Sequence, residues 1–173
     1  MTSQRLALVR HPATPCGAVQ AIEVEVTWDP PGPLTLVYRV QGDPARLVIP
    51  PAAPAVRTDE LWRTTCFEAF FRPDAAPSYV EFNFAPSGAW AVYRFDGYRD
   101  GMAPLEIAPP TIGFATTETG CAQTVVLAVP EDAAGHLTLT AVIEEQGGRK
   151  SYWALDHAGE RPDFHNFTGV HLP

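Results

Sequence analysis

Three polar residues, Glu68, Glu81 and Asn83, lie within sixteen positions of one another in a stretch otherwise rich in aromatic and aliphatic side chains. Arg94 follows eleven residues later, and Trp62 and Trp90 bracket the group. Carboxylate, amide and guanidinium groups beside an indole can both donate and accept hydrogen bonds next to a flat apolar surface. That combination suits a small polyhydroxylated molecule. Tyr98 and Arg99, in the loop just after Arg94, extend the set. Two carboxyl groups on neighbouring strands also admit acid–base hydrolysis of a glycosidic bond, which needs a separation of roughly 5 to 9 Å and one raised pKa. The structural alternative is a neutralised network, with Arg94 offsetting acids that would otherwise repel one another across a sheet.

These residues can act together only if the chain holds them on one surface. Between Asp59 and Met102 three apolar-aromatic runs, Leu61 to Phe71, Tyr79 to Phe84 and Ala89 to Phe95, are separated by breaks rich in Pro, Gly, Asp and Ser. Such runs predict consecutive antiparallel strands. Alternation then sends Phe67, Ala69, Phe71, Val80, Phe82 and Phe84 to one face, and Glu68, Glu81 and Asn83 to the other. The third strand divides into Trp90, Val92 and Arg94 against Ala89, Ala91, Tyr93 and Phe95. Its chemistry places Trp90 and Arg94 with the carboxylates, and Trp62 joins them by the same alternation. A slip of one residue in register reverses any such assignment.

The remainder of the chain repeats the pattern. Strands are predicted over Arg5 to Arg10, Gln20 to Trp28, Pro33 to Val40, Thr111 to Phe114, Ala122 to Val129, His136 to Gln146 and Ser151 to Asp156, with a brief edge strand over Arg46 to Ile49. Asp96 to Pro110 reads as a loop, 131–135 as one helical turn at most, and the tail from His157 onward as irregular. The 18 Pro and 13 Gly are spread along 173 residues, leaving few windows long enough for an amphipathic helix. Nine or ten short strands in a single domain spanning residues 1–173 predict an all-β fold of two packed antiparallel sheets, a β-sandwich or jelly roll.

A formal net charge of -8 argues against nucleic acid and against an anionic membrane surface as partners. No window approaches a transmembrane span, and the N-terminal residues lack an apolar signal core, so the expected location is cytoplasmic. Three widely spaced Cys (Cys16, Cys66, Cys121) form neither a disulfide framework nor a zinc motif. Cys66 is expected as a small buried residue. His157, His165 and His171 match no short metal-ligand spacing, and His165 with Asp163 is expected to cap strand ends. Asp96 and Asp100 sit in a DGYRDG string too poor in acids for a calcium loop.

The strings LWRTTCFEAF, EFNFAPSGAWAVYRFDGYRDGM, YWALDH and RPDFH resemble bacterial DOMON-like proteins, relatives of the family-nine carbohydrate-binding modules. The resemblance runs from about Asp59 onward. It implies an immunoglobulin-like or jelly-roll β-sandwich with no enzymatic activity and a pocket for a sugar or a haem. In the sugar-binding relatives a ring lies between aromatic side chains, a part that Trp62, Trp90 or Trp153 could play here. In the haem-binding relatives a Met and a His hold the iron; here Met102 is the only internal Met, and no His lies in the central strands. The expected partner is therefore a small polar ligand, a saccharide first, with haem and a purely structural or protein-interaction role as alternatives.

Overall fold

The computed structural model describes residues 2–74, 76–129, 134–166 and 168–172. Among them are twelve strands: β1 (Thr2–Arg10), β2 (Val19–Trp28), β3 (Leu34–Gly42), β4 (Cys66–Pro73), β5 (Tyr79–Phe84), β6 (Trp90–Phe95), β7 (Ala103–Pro104), β8 (Thr111–Thr117), β9 (Gly120–Leu127), β10 (Gly135–Glu144), β11 (Lys150–Ala154) and β12 (Val170–Leu172). All pair antiparallel, in the order β7-β6-β5-β4-β10-β11-β1-β2-β3-β9-β8, with β12 added beside β10.

The all-β, antiparallel expectation matches this architecture. The connection between its halves is what the sequence leaves open. β1 pairs with β2 through Thr2 to Leu8 and then with β11 through Val9 and Arg10, so one strand serves both halves. The result is a continuous sheet curled on itself like a half-barrel. Alternating residues of β2 and β3 supply one inner wall, including Val24, Leu36 and Tyr38. Phe67, Ala69, Phe84 and Leu139 supply the facing wall, and all belong to one buried cluster. The walls are also tied by hydrogen bonds. The Tyr38 hydroxyl donates to the Glu68 carbonyl (2.7 Å), and the Gln123 amide donates to the Phe84 carbonyl (3.0 Å).

Several local expectations need correction. Leu61–Arg63 is a 3-10 turn rather than the start of a strand. Glu60 before it takes a left-handed backbone (φ 62), and Arg63 returns to the Glu60 carboxylate at 2.7 Å. The hydrophobic content of this segment is used by Leu61, which is buried against the sheet, not by strand pairing. Pro44–Arg46 is also a 3-10 turn, capped by the Asp43 side chain. The edge strand expected over Arg46 to Ile49 is reduced to one bridge between Leu47 and Glu145. Pro at the first helical position favours the turn. The loop after β6 and the C-terminal tail contribute the short strands β7 and β12. The helical turn expected over 131–135 falls largely outside the described residues.

The outer face of β4, β5, β6, β10 and β11 is not left to solvent. A second apolar cluster covers it, built from Cys66, Phe70, Tyr93, Phe95, Val142 and Phe164, with Trp62 and Tyr152 at its margin. The candidate site lies within this cover.

Candidate functional site

The register of β4, β5 and β10 builds the floor. Glu68 stands between Asn83 of β5 and Thr140 of β10, and Glu81 stands between Phe70 of β4 and Tyr93 of β6. Direct cross-strand partners share a face, so Glu68, Glu81 and Asn83 come together as the alternation requires. All three are buried, at 2%, 6% and 0% exposure. The Asn83 amide donates to Glu81 Oε1 (2.8 Å), and the Thr140 hydroxyl donates to Glu68 Oε2 (3.3 Å). Glu68 Oε1 is buried with no hydrogen-bond partner.

Burial pushes the Glu68 carboxyl well above the usual carboxylate range, and the neighbouring Glu81 charge pushes it further. Glu81 is also raised by burial, with the Asn83 hydrogen bond and the Arg99 charge pulling against it. Burial and the Glu68 charge likewise hold the Cys66 thiol well above its ordinary value, so it is an inert packing residue.

Above this floor is a pocket of about 350 Å³. Trp62, Phe70, Phe95, Tyr152 and Phe164 give it aromatic walls, while Arg99, Met102 and His165 complete the polar and soft side. The left-handed backbone of Arg99 (φ 53) and of Gly101 (φ +66) folds the loop back over the face. A Cβ at Gly101 would meet the Asp96 side chain, and the positive φ there favours glycine. The segment holding Asp163 and His165 closes the other side. Asp163 accepts from the Tyr98 hydroxyl (2.5 Å), from Arg99 Nη2 (2.8 Å) and from the His165 amide (3.1 Å). This clamp, rather than the capping of strand ends, is what Asp163 and His165 do.

His165 is held at one ring nitrogen. Nδ1 lies 2.6 Å from the Tyr79 hydroxyl, while Nε2 faces Glu81 Oε2 at 3.8 Å, beyond hydrogen-bond distance. The Arg99 amide donates to the same Tyr79 oxygen, leaving the phenol proton for Nδ1. Burial and the Arg99 charge lower the His165 pKa to about 4, so the ring is neutral at pH 7. The arrangement does not fit a haem held by Met and His. Met102 and His165 do line one pocket, but the imidazole Nδ1 is committed to Tyr79, Nε2 faces Glu81, and two buried carboxyl groups occupy the floor. Among the described residues, no group of three His, Cys, Asp or Glu is placed to hold a metal ion.

Of the eight residues singled out in the sequence, Trp62, Glu68, Glu81 and Arg99 line the pocket, and Asn83 supports Glu81 from beneath. Tyr98 stays 62% exposed and serves the clamp. Trp90 and Arg94 are on the opposite side of the sheet, a correction to their expected place. The Ala85–Ala89 connection, closed by the Ala85 amide donating to the Ala89 carbonyl (2.9 Å), sets Trp90 opposite Phe84 and Arg94 opposite Val80. Both therefore face inward. Trp90 joins the inner core, with the Arg57 guanidinium 4.8 Å above its ring. Arg94 reaches out at the sheet margin to Asp96 (3.0 Å). Arg99 supplies the cation expected of Arg94.

Sequence reasoning missed Phe70, Phe95, Tyr152, Phe164 and His165 as pocket walls. Phe70 and Phe95 carry the same alternation signal as Glu68 and could have been found. Phe164 and His165 arrive from a distant tail with no periodicity.

No family model matches the chain, and no curated protein matches it. A solved structure is similar: a protein from Bacteroides uniformis described as a putative carbohydrate-binding protein, 15% identical, with a TM-score of 0.66, covering 95% of this chain and 81% of that one. At that identity the likeness concerns the fold. No helix among the described residues is long and apolar enough to cross a membrane.

Proposed function

We propose that this chain is a non-catalytic binding domain of DOMON-like β-sandwich type, whose outer-face pocket takes a small uncharged polar ligand, a saccharide. The observation that carries this reading is the pair of buried carboxyl groups in the floor of an aromatic-walled pocket. Burial favours the protonated form of Glu68, which can donate as well as accept, and its orphan oxygen offers a further acceptor. Neutral His165, accepting from Tyr79 at Nδ1, adds an uncharged Nε2–H donor. This mixture suits hydroxyl groups, and the aromatic walls suit the apolar face of a ring.

Binding rather than hydrolysis is supported by the placement of the carboxyl groups. Glycoside cleavage uses two carboxyl groups that flank the scissile bond. Here both stand side by side in the floor of the pocket, beneath any ligand. The name of the structural neighbour points to the same ligand class.

A lone pocket of this size should bind on the order of µM to mM. Calorimetric titration with a panel of neutral, amino and acidic saccharides tests the reading. Neutral sugars should bind, and Glu81→Gln should weaken them. Acidic and amino sugars should bind less well, because burying their charge costs more than burying a hydroxyl group. No saccharide binding by the folded wild-type protein would end this proposal.

A further inference from the structure

Glu81 and His165 line the outer pocket from separate segments, β5 and the C-terminal tail, and keep 8% and 13% of their side-chain surface open. Each has one polar atom already engaged. Glu81 Oε1 accepts from the Asn83 amide (2.8 Å), which leaves Oε2 as the oxygen turned to His165. His165 Nδ1 is taken by the Tyr79 hydroxyl (2.6 Å), which leaves Nε2. Glu81 Oε2 and His165 Nε2 stand 3.8 Å apart, too far to bond to each other. Both therefore keep capacity for a ligand atom.

The polarity of this pair is fixed by residues behind it. The Arg99 backbone amide donates to the Tyr79 oxygen (3.1 Å), so the phenol proton turns to Nδ1. A neutral imidazole that accepts at Nδ1 carries its own proton on Nε2. The ring is neutral at pH 7, its pKa lowered to about 4 by burial and the Arg99 charge. Phe70 and Phe95 meet it edge-on, with ring centroids 5.4 and 5.1 Å away, and hold its plane. The result is a donor, Nε2–H, beside an acceptor, Oε2.

A donor and an acceptor at this spacing match two neighbouring hydroxyl groups. Gauche hydroxyls on adjacent ring carbons lie slightly closer together than the two protein atoms, so two nearly parallel hydrogen bonds reach them. One hydroxyl accepts from Nε2–H and the other donates to Oε2. A lone hydroxyl would have to bend both bonds toward one point, which weakens them. We infer that Glu81 and His165 form a subsite for a vicinal diol, and that Tyr79 is a positioning residue that sets its polarity by fixing the His165 tautomer. This rests on the saccharide reading of the pocket and specifies which part of the sugar is read there.

The test begins without a ligand. Long-range proton–nitrogen NMR of the wild-type chain at pH 7 should show His165 with its proton on Nε2, and a proton on Nδ1 would overturn the subsite. The methyl pyranosides of glucose, galactose and mannose are then titrated by calorimetry, followed by the monodeoxy derivatives of whichever binds tightest. Removing either of two adjacent hydroxyls should weaken binding roughly 3- to 10-fold, in keeping with one hydrogen bond each. Tyr79→Phe should weaken the parent glycoside by a similar factor and shift His165 toward a mixture of tautomers. It should leave unchanged the affinity of the one derivative that lacks the hydroxyl facing Nε2. A Tyr79 that merely supports the fold would lower every affinity alike, and that result would remove its positioning role. Should Tyr79→Phe not fold, the wild-type spectrum and the deoxy series decide the matter. Glycosides that bind with no adjacent pair of sensitive hydroxyls would overturn the diol subsite and leave the saccharide reading standing. Absence of any saccharide binding would remove both.

Discussion

Two spaces of nearly equal volume, about 350 Å³ outside and about 390 Å³ inside, are separated by the thickness of β4 and β5. Consecutive residues serve opposite sides. Glu68 and Phe70 face the outer pocket while Ala69 and Phe71 face the inner cleft; Glu81 faces out while Val80 and Phe82 face in. The outer space has a hydrogen-bonded acidic floor and a lid fastened by an ion pair. The inner one has a hydrocarbon lining. One pair of strands, read in steps of two, thus carries two unrelated chemistries.

The sharpest way to break this comparison uses the two tryptophans once expected on one side. Trp90→Ala removes a large inner-core side chain and should cost about 3 to 5 kcal/mol in urea unfolding. Trp62→Ala touches only the outer margin and should leave the unfolding midpoint nearly unchanged. Equal losses would show that the outer cover is as integral to stability as the inner core.

The pH dependence of stability separates the faces next. The unfolded chain ionises Glu68 near its ordinary pKa of 4.5, whereas the folded chain holds the proton to higher pH. Stability from this group is therefore full below 4.5 and is lost as pH rises above it. Glu68→Gln removes that loss, so thermal scans from pH 5 to pH 8 should show the variant gaining on the wild type as pH rises. His165, lowered to about 4, works in the opposite direction: its contribution is present above the unfolded value of 6.5 and is lost as pH falls toward 4. A gap between Glu68→Gln and wild type that stays constant across the range would contradict a buried, titrating Glu68.

In saccharide titrations Trp62→Ala should weaken binding about 5- to 10-fold, roughly 1 to 1.4 kcal/mol. Arg94→Ala should be the smallest effect of all. Its partner Asp96 is exposed, as is Arg94 itself. Such surface pairs contribute about 0 to 1 kcal/mol. Both stability and binding should remain close to wild type, and a marked loss of saccharide affinity would return Arg94 to the site.

Much of the outer pocket's floor was legible because period-two alternation is local. Once Phe67 to Phe71 and Val80 to Phe84 are recognised as strands, the shared face of Glu68, Glu81 and Asn83 follows. Trp90 and Arg94 were misplaced because parity within a strand does not say which set faces which side; the hairpin register does. Trp62 reached its expected neighbourhood by another route, carried over the face by the Leu61–Arg63 turn rather than by strand alternation. Phe164 and His165 depend on contacts spanning more than eighty residues, such as that between Tyr79 and His165.

The sequence by itself determined an all-β chain, the positions of most long strands and the gathering of two acids and an amide on one surface. Each rests on near-neighbour periodicity and turn chemistry, which need no knowledge of distant partners. Only the tertiary structure decided that β1 joins two halves into one curled sheet, that Arg99 rather than Arg94 stands by the carboxyl groups, and that a tail segment adds a wall beside them. Those outcomes depend on which remote surfaces bury one another, and burial is what raises the pKa of two ordinary glutamates.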